Sequence, residues 1–388
     1  MKPKSNDAFS NPTIKVPFFR PSISKEDKTK ILETLSSPLL TDGPKLREFE
    51  SAFAKFTGSK YAVGVSNATS ALNLSLESLG IGKNDEVIVP DLTFIATASS
   101  VLLTGAKPVL ADVDTDDLNI SISSIEKKIS SRTKAIIPVH FAGRVCNIKD
   151  IMKIARAHNL YVIEDCAHAI GAKLANKHVG LFGDAGCFSF YPTKNFTTIE
   201  GGMIITKSKR ISDYVKTSRN HGLSKSLLQR FSKGYPWDYD VVKTGYNYRL
   251  DEIRASLGIS QLKQISKFNR LRKKACKYYN DNLKNINGIQ TPTISKNQDN
   301  VYHLYIIKIL SDFPISRNEL YEHLIKLGIR TSVHYKPLHY FSLLKNDYTE
   351  NSFPNSENLY EQILSLPLYP SITTKEQDFV INCIKKIT

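Results

Sequence analysis

The sequence predicts an α/β fold in which a large domain with a mainly parallel sheet is followed by a smaller α+β domain. Three observations predict this architecture. From Tyr61 to about Thr206, short apolar runs rich in β-branched residues alternate with helical patterns. One long helical pattern then runs from Asp251 to about Leu283. Beyond it, fewer strand and helix patterns continue to the C-terminus.

The large domain has seven candidate strands with helical patterns between several of them. Strands joined by helices pair in parallel and are covered on both faces, and ligands bind at their carboxyl ends. Polar residues just after strands are therefore candidate site residues. The strands are Tyr61–Val65, Glu86–Val89, Pro108–Asp112, Ala135–Val139, Tyr161–Glu164, Ala185–Phe190 and Gly202–Thr206. The helices are Ser70–Leu79, Ala96–Thr104, Ser121–Lys128 and Ile148–His158.

The long helical pattern predicts a connection between the two domains, because its apolar residues keep helical spacing over many turns. We place residues 16–255 in the large domain and residues 256–388 in the linking helix and small domain. Residues 1–15 are predicted to be disordered. The small domain has strand patterns at Val301–Ile309 and Ile329–His334, and helical patterns at Arg317–Leu327 and Lys375–Lys386. Gly328 is positioned to end the first of these helices.

Composition excludes several classes of protein. The 388 residues are 41% hydrophobic and 23% charged, as in ordinary globular proteins. No apolar run approaches the roughly 20 residues needed to span a bilayer, and the N-terminus lacks a secretory pattern. The five cysteines include no Cys-x-x-Cys pair and read as free thiols. We therefore expect a soluble cytoplasmic protein with no membrane partner.

The chain is basic, with 53 Lys and Arg against 37 Asp and Glu, a formal charge of +16. Such an excess is found in nucleic-acid-binding proteins. Here the basic residues are scattered, and their one concentration lies in the long helical pattern, where we expect a solvated face. The charge favours anionic small molecules as ligands instead of nucleic acid. This concentration comprises Arg270, Arg272, Lys273, Lys274 and Lys277.

The segment from Ser66 to Ser70 leads from the first strand into a helix. A strand, a short polar turn and a helix N-terminus together form an anion site, because free backbone N–H groups and the helix dipole point outward. Alternatively, Thr69 or Ser70 is a simple N-cap.

A carboxylate and a lysine each follow a predicted strand. Asp165 ends a nearly apolar strand, where burial is costly unless a cationic or N–H partner is present; the alternative is a loop cap. Its neighbour Glu164 should point to the opposite side of the sheet. Lys194 follows Ser189 in an aromatic turn, where desolvation could lower its pKa and make it nucleophilic. The alternative is a solvated charge. A metal site at Cys166 and His168 is not expected, because no second ligand pair accompanies them.

The order of these motifs resembles the DegT-type nucleotide-sugar aminotransferases, which are pyridoxal 5′-phosphate (PLP) enzymes of fold type I. The resemblance covers the chain from about Val16 onward. No single motif is specific, but the ordered set is. The motifs are Ser-Asn-Ala-Thr, Glu-Asp-Cys-Ala-His, Phe-Ser-Phe-Tyr-Pro-Thr-Lys-Asn, Glu-Gly-Gly, Gly-Tyr-Asn-Tyr-Arg and Val-His-Tyr-Lys-Pro-Leu-His.

The resemblance implies a role for each site residue. Lys194 would bond covalently to the cofactor, and Asp165 would keep the pyridine nitrogen protonated. The other implied cofactor contacts are His168 and Phe94 on the two ring faces, and Ala68, Thr69 and Ser189 at the phosphate. Asn247 would reach the phosphate from a second subunit, so a homodimer with shared active sites is implied. The implied substrate residues are His334, Tyr335 and Arg249.

The resemblance also implies the reaction. Glutamate is the implied amino donor, and a nucleotide-linked 4-keto sugar is the implied acceptor. A 3-keto sugar nucleotide or a keto-inositol is an alternative acceptor, and a non-enzymatic regulator is an alternative of another class. Many members have glycine where this chain has Ala68, which can still donate its N–H if its φ is negative.

Overall fold

The computed structural model describes residues 13–226, 229–230, 235–293, 298–345, 348 and 351–388. The predicted seven-stranded sheet is confirmed, in the order β1-β9-β8-β5-β4-β2-β3. All neighbouring pairs are parallel except those of β9, which is antiparallel to both β1 and β8. The strands are β1 Tyr61–Val65, β2 Glu86–Pro90, β3 Lys107–Ala111, β4 Thr133–Ile136, β5 Tyr161–Asp165, β8 Ala185–Ser189 and β9 Gly202–Thr206.

Helices cover both faces of this sheet. Alternate strand residues pack against α3, α4 and α7 on one face and against α2, α5, α6 and α8 on the other. The pleat explains this, because successive side chains of a strand point to opposite faces. The helices are α1 Lys25–Leu35, α2 Pro44–Thr57, α3 Ala68–Ser78, α4 Ala96–Leu103, α5 Ile122–Lys128, α6 Ile148–Ala157, α7 Lys209–Ser218 and α8 Glu252–Leu283.

The small domain has a three-stranded antiparallel sheet with helices packed on it. Gly328 has φ +85° and ends α9, as its position predicts. The strands are β10 Ile289–Gln290, β12 Tyr305–Ile309 and β13 Ile363–Leu366, and the helices are α9 Arg317–Lys326, α10 Pro354–Gln362 and α11 Thr374–Lys385. A further small sheet joins β6 Lys173–Leu174, β7 Lys177–His178 and β11 Gln298–Asp299.

In the small domain one strand prediction is wrong and another is right only for its second half. The segment Ile329–His334 makes only isolated bridges, from Ile329 to Val16 and from Ser332 to Ser365. The predicted strand Val301–Ile309 begins only at Tyr305. Its first residues pair elsewhere: the N–H groups of Val301 and His303 donate to carbonyls of a loop of the large domain at 3.0 and 2.9 Å. The Val301–His303 segment therefore serves as a contact between the domains, whereas Ile329–His334 is bound to the N-terminal segment and to β13.

The N-terminal segment lies on the small domain. Val16 is 1% exposed and belongs to the small-domain core, although the predicted boundary puts it in the large domain. The Lys15 N–H donates to the carbonyl of Gly328 at 2.9 Å. Residues 1–12, which carry most of the predicted disordered N-terminus, lie outside the described residues. None of the described helices combines the length and apolarity that a membrane span requires.

The long helix α8 connects the two domains, and its basic face is solvated except at one position. Arg270, Lys273, Lys274 and Lys277 are exposed, but Arg272 is 2% exposed. The Arg272 guanidinium donates to backbone carbonyls of residues 303 and 368, both at 3.1 Å, so the prediction of a solvated face is wrong for this residue. All five cysteines are buried free thiols.

Candidate active site

A cavity of about 520 Å³ opens at the carboxyl ends of β5 and β8, beside the first residues of α3. This is the edge where an open α/β sheet binds its ligands. The structure brings most of the predicted site residues together here. They are Ala68, Thr69, Phe94, Asp165, His168, Ser189, Lys194 and Tyr335.

Asp165 ends β5 and is 6% exposed. Its carboxylate accepts the Ala167 N–H and the Thr97 hydroxyl, both at 3.1 Å. Burial raises the pKa of Asp165, while these two donors and the charge of Lys194 oppose that rise. The bond from the nearby Ala167 N–H agrees in part with the alternative in which Asp165 caps the loop after β5. Because Asp165 also lines the cavity, its charge remains available to a cationic ligand.

Glu164 points to the opposite side of the sheet, as predicted. Its buried carboxylate accepts three N–H groups of the loop after β7, those of Gly180, Phe182 and Gly183, each at 2.7 Å. His140 lies 3.0 Å from it and, with Cys166, completes a buried cluster of metal-ligand type. Both Glu164 oxygens already accept hydrogen bonds, so the cluster serves to hold the sheet to this loop.

Lys194 lies in the tight turn that follows β8, where its N–H donates to the carbonyl of Tyr191 at 2.9 Å. The neighbouring Asn195 fixes this turn, because its amide donates to Asn269 of α8 at 2.7 Å and to the Val301 carbonyl at 3.0 Å. Burial lowers the pKa of Lys194 to about 8, and the charge of Asp165 partly offsets this effect. The lowered pKa leaves a larger neutral fraction of the amine near neutral pH than an ordinary lysine has, and Lys194 is half-buried on the cavity instead of fully solvated.

The anion end of the cavity lies at the start of α3. Asn67 is the N-cap, accepting the Ser70 N–H at 2.8 Å, so neither Thr69 nor Ser70 has the alternative capping role. The N–H groups of the first helical turn have no intrahelical partner, and Ala68 and Thr69 line the cavity. Ala68 is the first helical residue and does not have a positive φ, so its N–H can be a donor despite the departure from glycine.

Gly202 explains how this turn lies so close to the sheet. A Cβ at Gly202 would lie 2.4 Å from the carbonyl oxygen of Asn67, so no other residue fits without movement of the backbone. In the antiparallel register of β8 and β9, Gly202 is paired with Ser189, whose hydroxyl reaches the same cavity. The helix N-terminus and this hydroxyl are thus brought to one point.

His168 and Tyr335 form a linked pair on the wall of the cavity. Burial and the charge of Lys194 hold the pKa of His168 well below its usual range, so the ring is neutral. Its Nδ1 accepts the Ala142 N–H at 3.4 Å, so the ring proton is on Nε2. The Nε2–H then donates to the Tyr335 hydroxyl oxygen at 3.1 Å. Phe94 is 55% exposed at the mouth, 5.8 Å from the Tyr335 ring centroid.

His334 lies beside the main cavity and does not line it. It borders a smaller cavity of about 50 Å³ that Lys194 also lines. Its Nδ1 lies 2.8 Å from the Ser365 hydroxyl, and its ring stacks on Phe18 at 5.4 Å. Burial and the charge of Lys194 lower the pKa of His334 to about 4.

We expect His334→Ala to slow the half-reactions with donor or acceptor about tenfold while cofactor absorbance and thermal stability stay near normal. The reason is that His334 lines the smaller cavity beside Lys194 and does not line the main cavity. Its loss should therefore affect the handling of substrates more than the binding of the cofactor. Single-turnover absorbance kinetics follow each half-reaction separately. Unchanged rates in both, or a large loss of stability, would assign His334 to packing alone.

Asn247 and Arg249 lie outside the cavity of their own chain. Asn247 forms an isolated bridge with Asn220, and Arg249 donates to the Asn220 side chain at 2.8 Å. Arg249 borders a separate cavity of about 280 Å³ that also contains Lys216. Their implied roles therefore require the site of a second subunit.

Sequence reasoning missed several residues that line the cavity. Thr97, on α4, donates to Asp165, and the Thr93 hydroxyl lies 3.2 Å from that of Thr97. Tyr191 and Glu200 also line the cavity. The spacing of Thr93 and Thr97, four residues apart after a strand end, was the available signal for the threonine pair.

The donor set fits PLP. A helix N-terminus with a hydroxyl suits its phosphate, a buried carboxylate suits its pyridine nitrogen, and an amine of lowered pKa suits its aldehyde carbon. Together with the seven-stranded sheet, these residues define a fold-type-I PLP enzyme.

The sequence matches the DegT/DnrJ/EryC1/StrS aminotransferase family over residues 21–385. The chain belongs to this family, is an aminotransferase, and has PLP as its cofactor.

Individual proteins are similar over nearly the whole chain. The spore coat polysaccharide biosynthesis protein SpsC of Bacillus subtilis is 39% identical, with 96% of this chain and 97% of SpsC covered. PseC of Helicobacter pylori, an aminotransferase involved in the biosynthesis of pseudoaminic acid, is 32% identical with a TM-score of 0.89, covering 96% of this chain and 98% of that one. DesV of S. venezuelae, solved in complex with a ketimine intermediate, has the same identity, TM-score and coverage.

Proposed function

We propose that this enzyme transfers an amino group from glutamate to a nucleotide-linked 4-keto sugar, giving a 4-amino sugar nucleotide. The observation that carries the aminotransferase chemistry is the placement of Lys194 and Asp165 on one cavity with the α3 N-terminus. The sugar nucleotide is supported by the relatives, since SpsC serves polysaccharide biosynthesis and PseC serves pseudoaminic acid biosynthesis. The net charge of +16 suits an anionic diphosphate substrate.

The residues divide the chemistry between them. When bound, PLP supplies an electron sink for the substrate carbon that loses or gains a proton. Asp165 would hold the proton on the ring nitrogen, and the α3 N-terminus with Ser189 would bind the phosphate. The Lys194 amine would move the proton at the substrate carbon, a role that suits its pKa of about 8.

We also propose a homodimer whose two subunits build each site. Support comes from the positions of Asn247 and Arg249, outside the cavity of their own chain. Both follow a loop from Leu223 to Lys243 that is rich in aromatic and basic residues, of which residues 227–228 and 231–234 lie outside the described residues. That loop exposes a stacked pair of rings, Tyr235 at 67% and Trp237 at 73%, as a surface for a second copy would.

Mixing Lys194→Ala chains with Asn247→Ala chains should restore part of the lost activity. Each variant alone should be impaired, but random exchange places an intact Lys194 and an intact partner Asn247 in a fraction of the hybrid sites. Activity is measured after mixing, with subunit exchange verified by native mass spectrometry of differently tagged chains. An absence of recovery despite exchange would contradict a shared site.

The proposed reaction is tested with a panel of nucleotide-linked keto sugars and glutamate, with products resolved by mass and NMR. We expect amination at carbon 4. Products aminated at carbon 3, or an aminated keto-inositol, would replace the proposed acceptor. The regulator alternative is not retained, because the family match makes the chain an aminotransferase.

A further inference from the structure

A buried carboxylate–imidazole pair lies beside the cavity without lining it. Asp91, just after β2, is 0% exposed, and His339 is 4% exposed. The His339 Nδ1 lies 2.8 Å from Asp91 Oδ2, and the His339 backbone N–H donates to Asp91 Oδ1 at 3.0 Å. A third bond runs from the Leu338 N–H to the Asp91 carbonyl at 2.8 Å. Two segments far apart in sequence are thus tied at one point.

Each of the two segments supports one side of the cofactor cavity. The segment after Asp91 carries Phe94 at the mouth, and its Thr93 bonds to Thr97, the hydroxyl donor to Asp165. The segment before His339 carries Tyr335, which accepts the Nε2 proton of His168.

The ring centroids of Phe94, on the first segment, and Tyr335, on the second, lie 5.8 Å apart. The tie between Asp91 and His339 therefore fixes the segment that carries Phe94 relative to the segment that carries Tyr335.

We propose that Asp91 and His339 are positioning residues that hold Phe94 and Tyr335 in place over the cofactor and the keto-sugar acceptor. The effect on the keto-sugar acceptor rests on the proposed function, whereas the effect on PLP rests on family membership alone. His339 makes two hydrogen bonds to the Asp91 carboxylate, and together they fix both the distance and the relative orientation of the two segments. A single apolar contact would not fix the orientation. Displacing groups that orient a bound ligand weakens its productive binding.

Glu357 faces the other side of His339. Its Oε1 lies 3.4 Å from His339 Nε2, and it accepts the N–H groups of Phe353 and Asn351 at the start of α10. These donors hold Glu357 in place and define the imidazole's second neighbour. The bond to Asp91 is the shorter one, so Nδ1 is the nitrogen whose proton the proposal requires.

The test compares three variants. His339→Phe keeps a ring but removes the donor, whereas His339→Asn keeps an N–H donor near the Nδ1 position. The matched control is His178→Phe, because His178 is 2% exposed and bonds through both ring nitrogens outside the cavity. PLP dissociation constants are measured on apoprotein by fluorescence, and kcat and KM are measured with glutamate and a nucleotide-linked 4-keto sugar, the proposed acceptor.

We expect His339→Phe to raise the dissociation constant of PLP and the KM of the acceptor about fivefold to tenfold, with kcat changed less. His339→Asn should return both to within about twofold of wild type, and His178→Phe should change neither per folded subunit. A folded His339→Phe variant with normal values would overturn the proposal, as would a His339→Asn variant as impaired as His339→Phe.

If His339→Phe does not fold, ¹⁵N NMR of histidine-labelled wild-type apoprotein decides, with His339→Asn used for assignment. A proton on Nδ1 supports the pair, and a proton on Nε2 alone overturns it. The PLP and NMR arms do not need a sugar substrate, so they separate failure of this inference from failure of the proposed reaction.

Discussion

Lys194→Ala should lower transamination by at least about 10³-fold while leaving the fold intact. The side chain would supply both the covalent bond to the cofactor and the proton transfer at the substrate carbon. It lies in a turn held by backbone bonds and by Asn195, so its loss removes no contact that the turn needs. Activity and circular dichroism of the purified variant measure the two effects.

Borohydride reduction of the wild-type enzyme, followed by peptide mapping, should place the cofactor label on Lys194. Lys209→Ala is a suitable control, because this exposed lysine lies on α7, outside the cavity, and pairs with Asp213. A label on another lysine, or substantial turnover by Lys194→Ala, would remove Lys194 from its assigned role.

Asp165→Asn should retain bound cofactor and lose about 10²- to 10³-fold in turnover. The amide keeps the size of the carboxylate and can bond to the Ala167 N–H and the Thr97 hydroxyl, so the loop should hold its shape. It lacks the full negative charge that would keep the ring nitrogen protonated. Cofactor content by absorbance and kcat per loaded subunit separate binding from chemistry.

Asp27→Asn provides the matched control for burial, since Asp27 is also buried but caps α1 and bonds to Gln261. It should lose stability and keep turnover per loaded subunit. Near-normal turnover by Asp165→Asn would show that the carboxylate charge is not used.

The large domain and most of the site were predictable because their signals are local. Each sheet strand is a short apolar run, and Asp165, Ser189 and Lys194 stand at strand ends or in the turn just beyond. Burying a charge at a strand end costs free energy unless the charge has a partner, so a carboxylate at that position indicates a functional or structural role.

What escaped prediction depends on contacts between distant segments. Helix α1 is mostly polar, and it forms because Ser24 and Asp27 cap it and α8 covers it. Val301 and Ile329 look like strand residues, but their partners lie in the other domain or the N-terminal segment. Arg272 reads as a solvated charge because nothing local shows the carbonyl groups that receive it. The Asp91–His339 pair is of the same kind.

The place of β9 in the sheet has a consequence for the order of biosynthesis. Strand β1 lies at the sheet edge with β9 as its neighbour, yet β1 is made first and β9 last of the seven strands. The strands from β8 to β3 can pair on the ribosome, but β1 cannot join the sheet, and Asn67 cannot pack on Gly202, until β9 emerges. The turn proposed to bind the phosphate is therefore the last large-domain part of the cavity to be assembled, and Tyr335 of the small domain joins the cavity later still. Cofactor capture thus follows completion of the sheet, and a nascent chain truncated before Gly202 should not retain the cofactor.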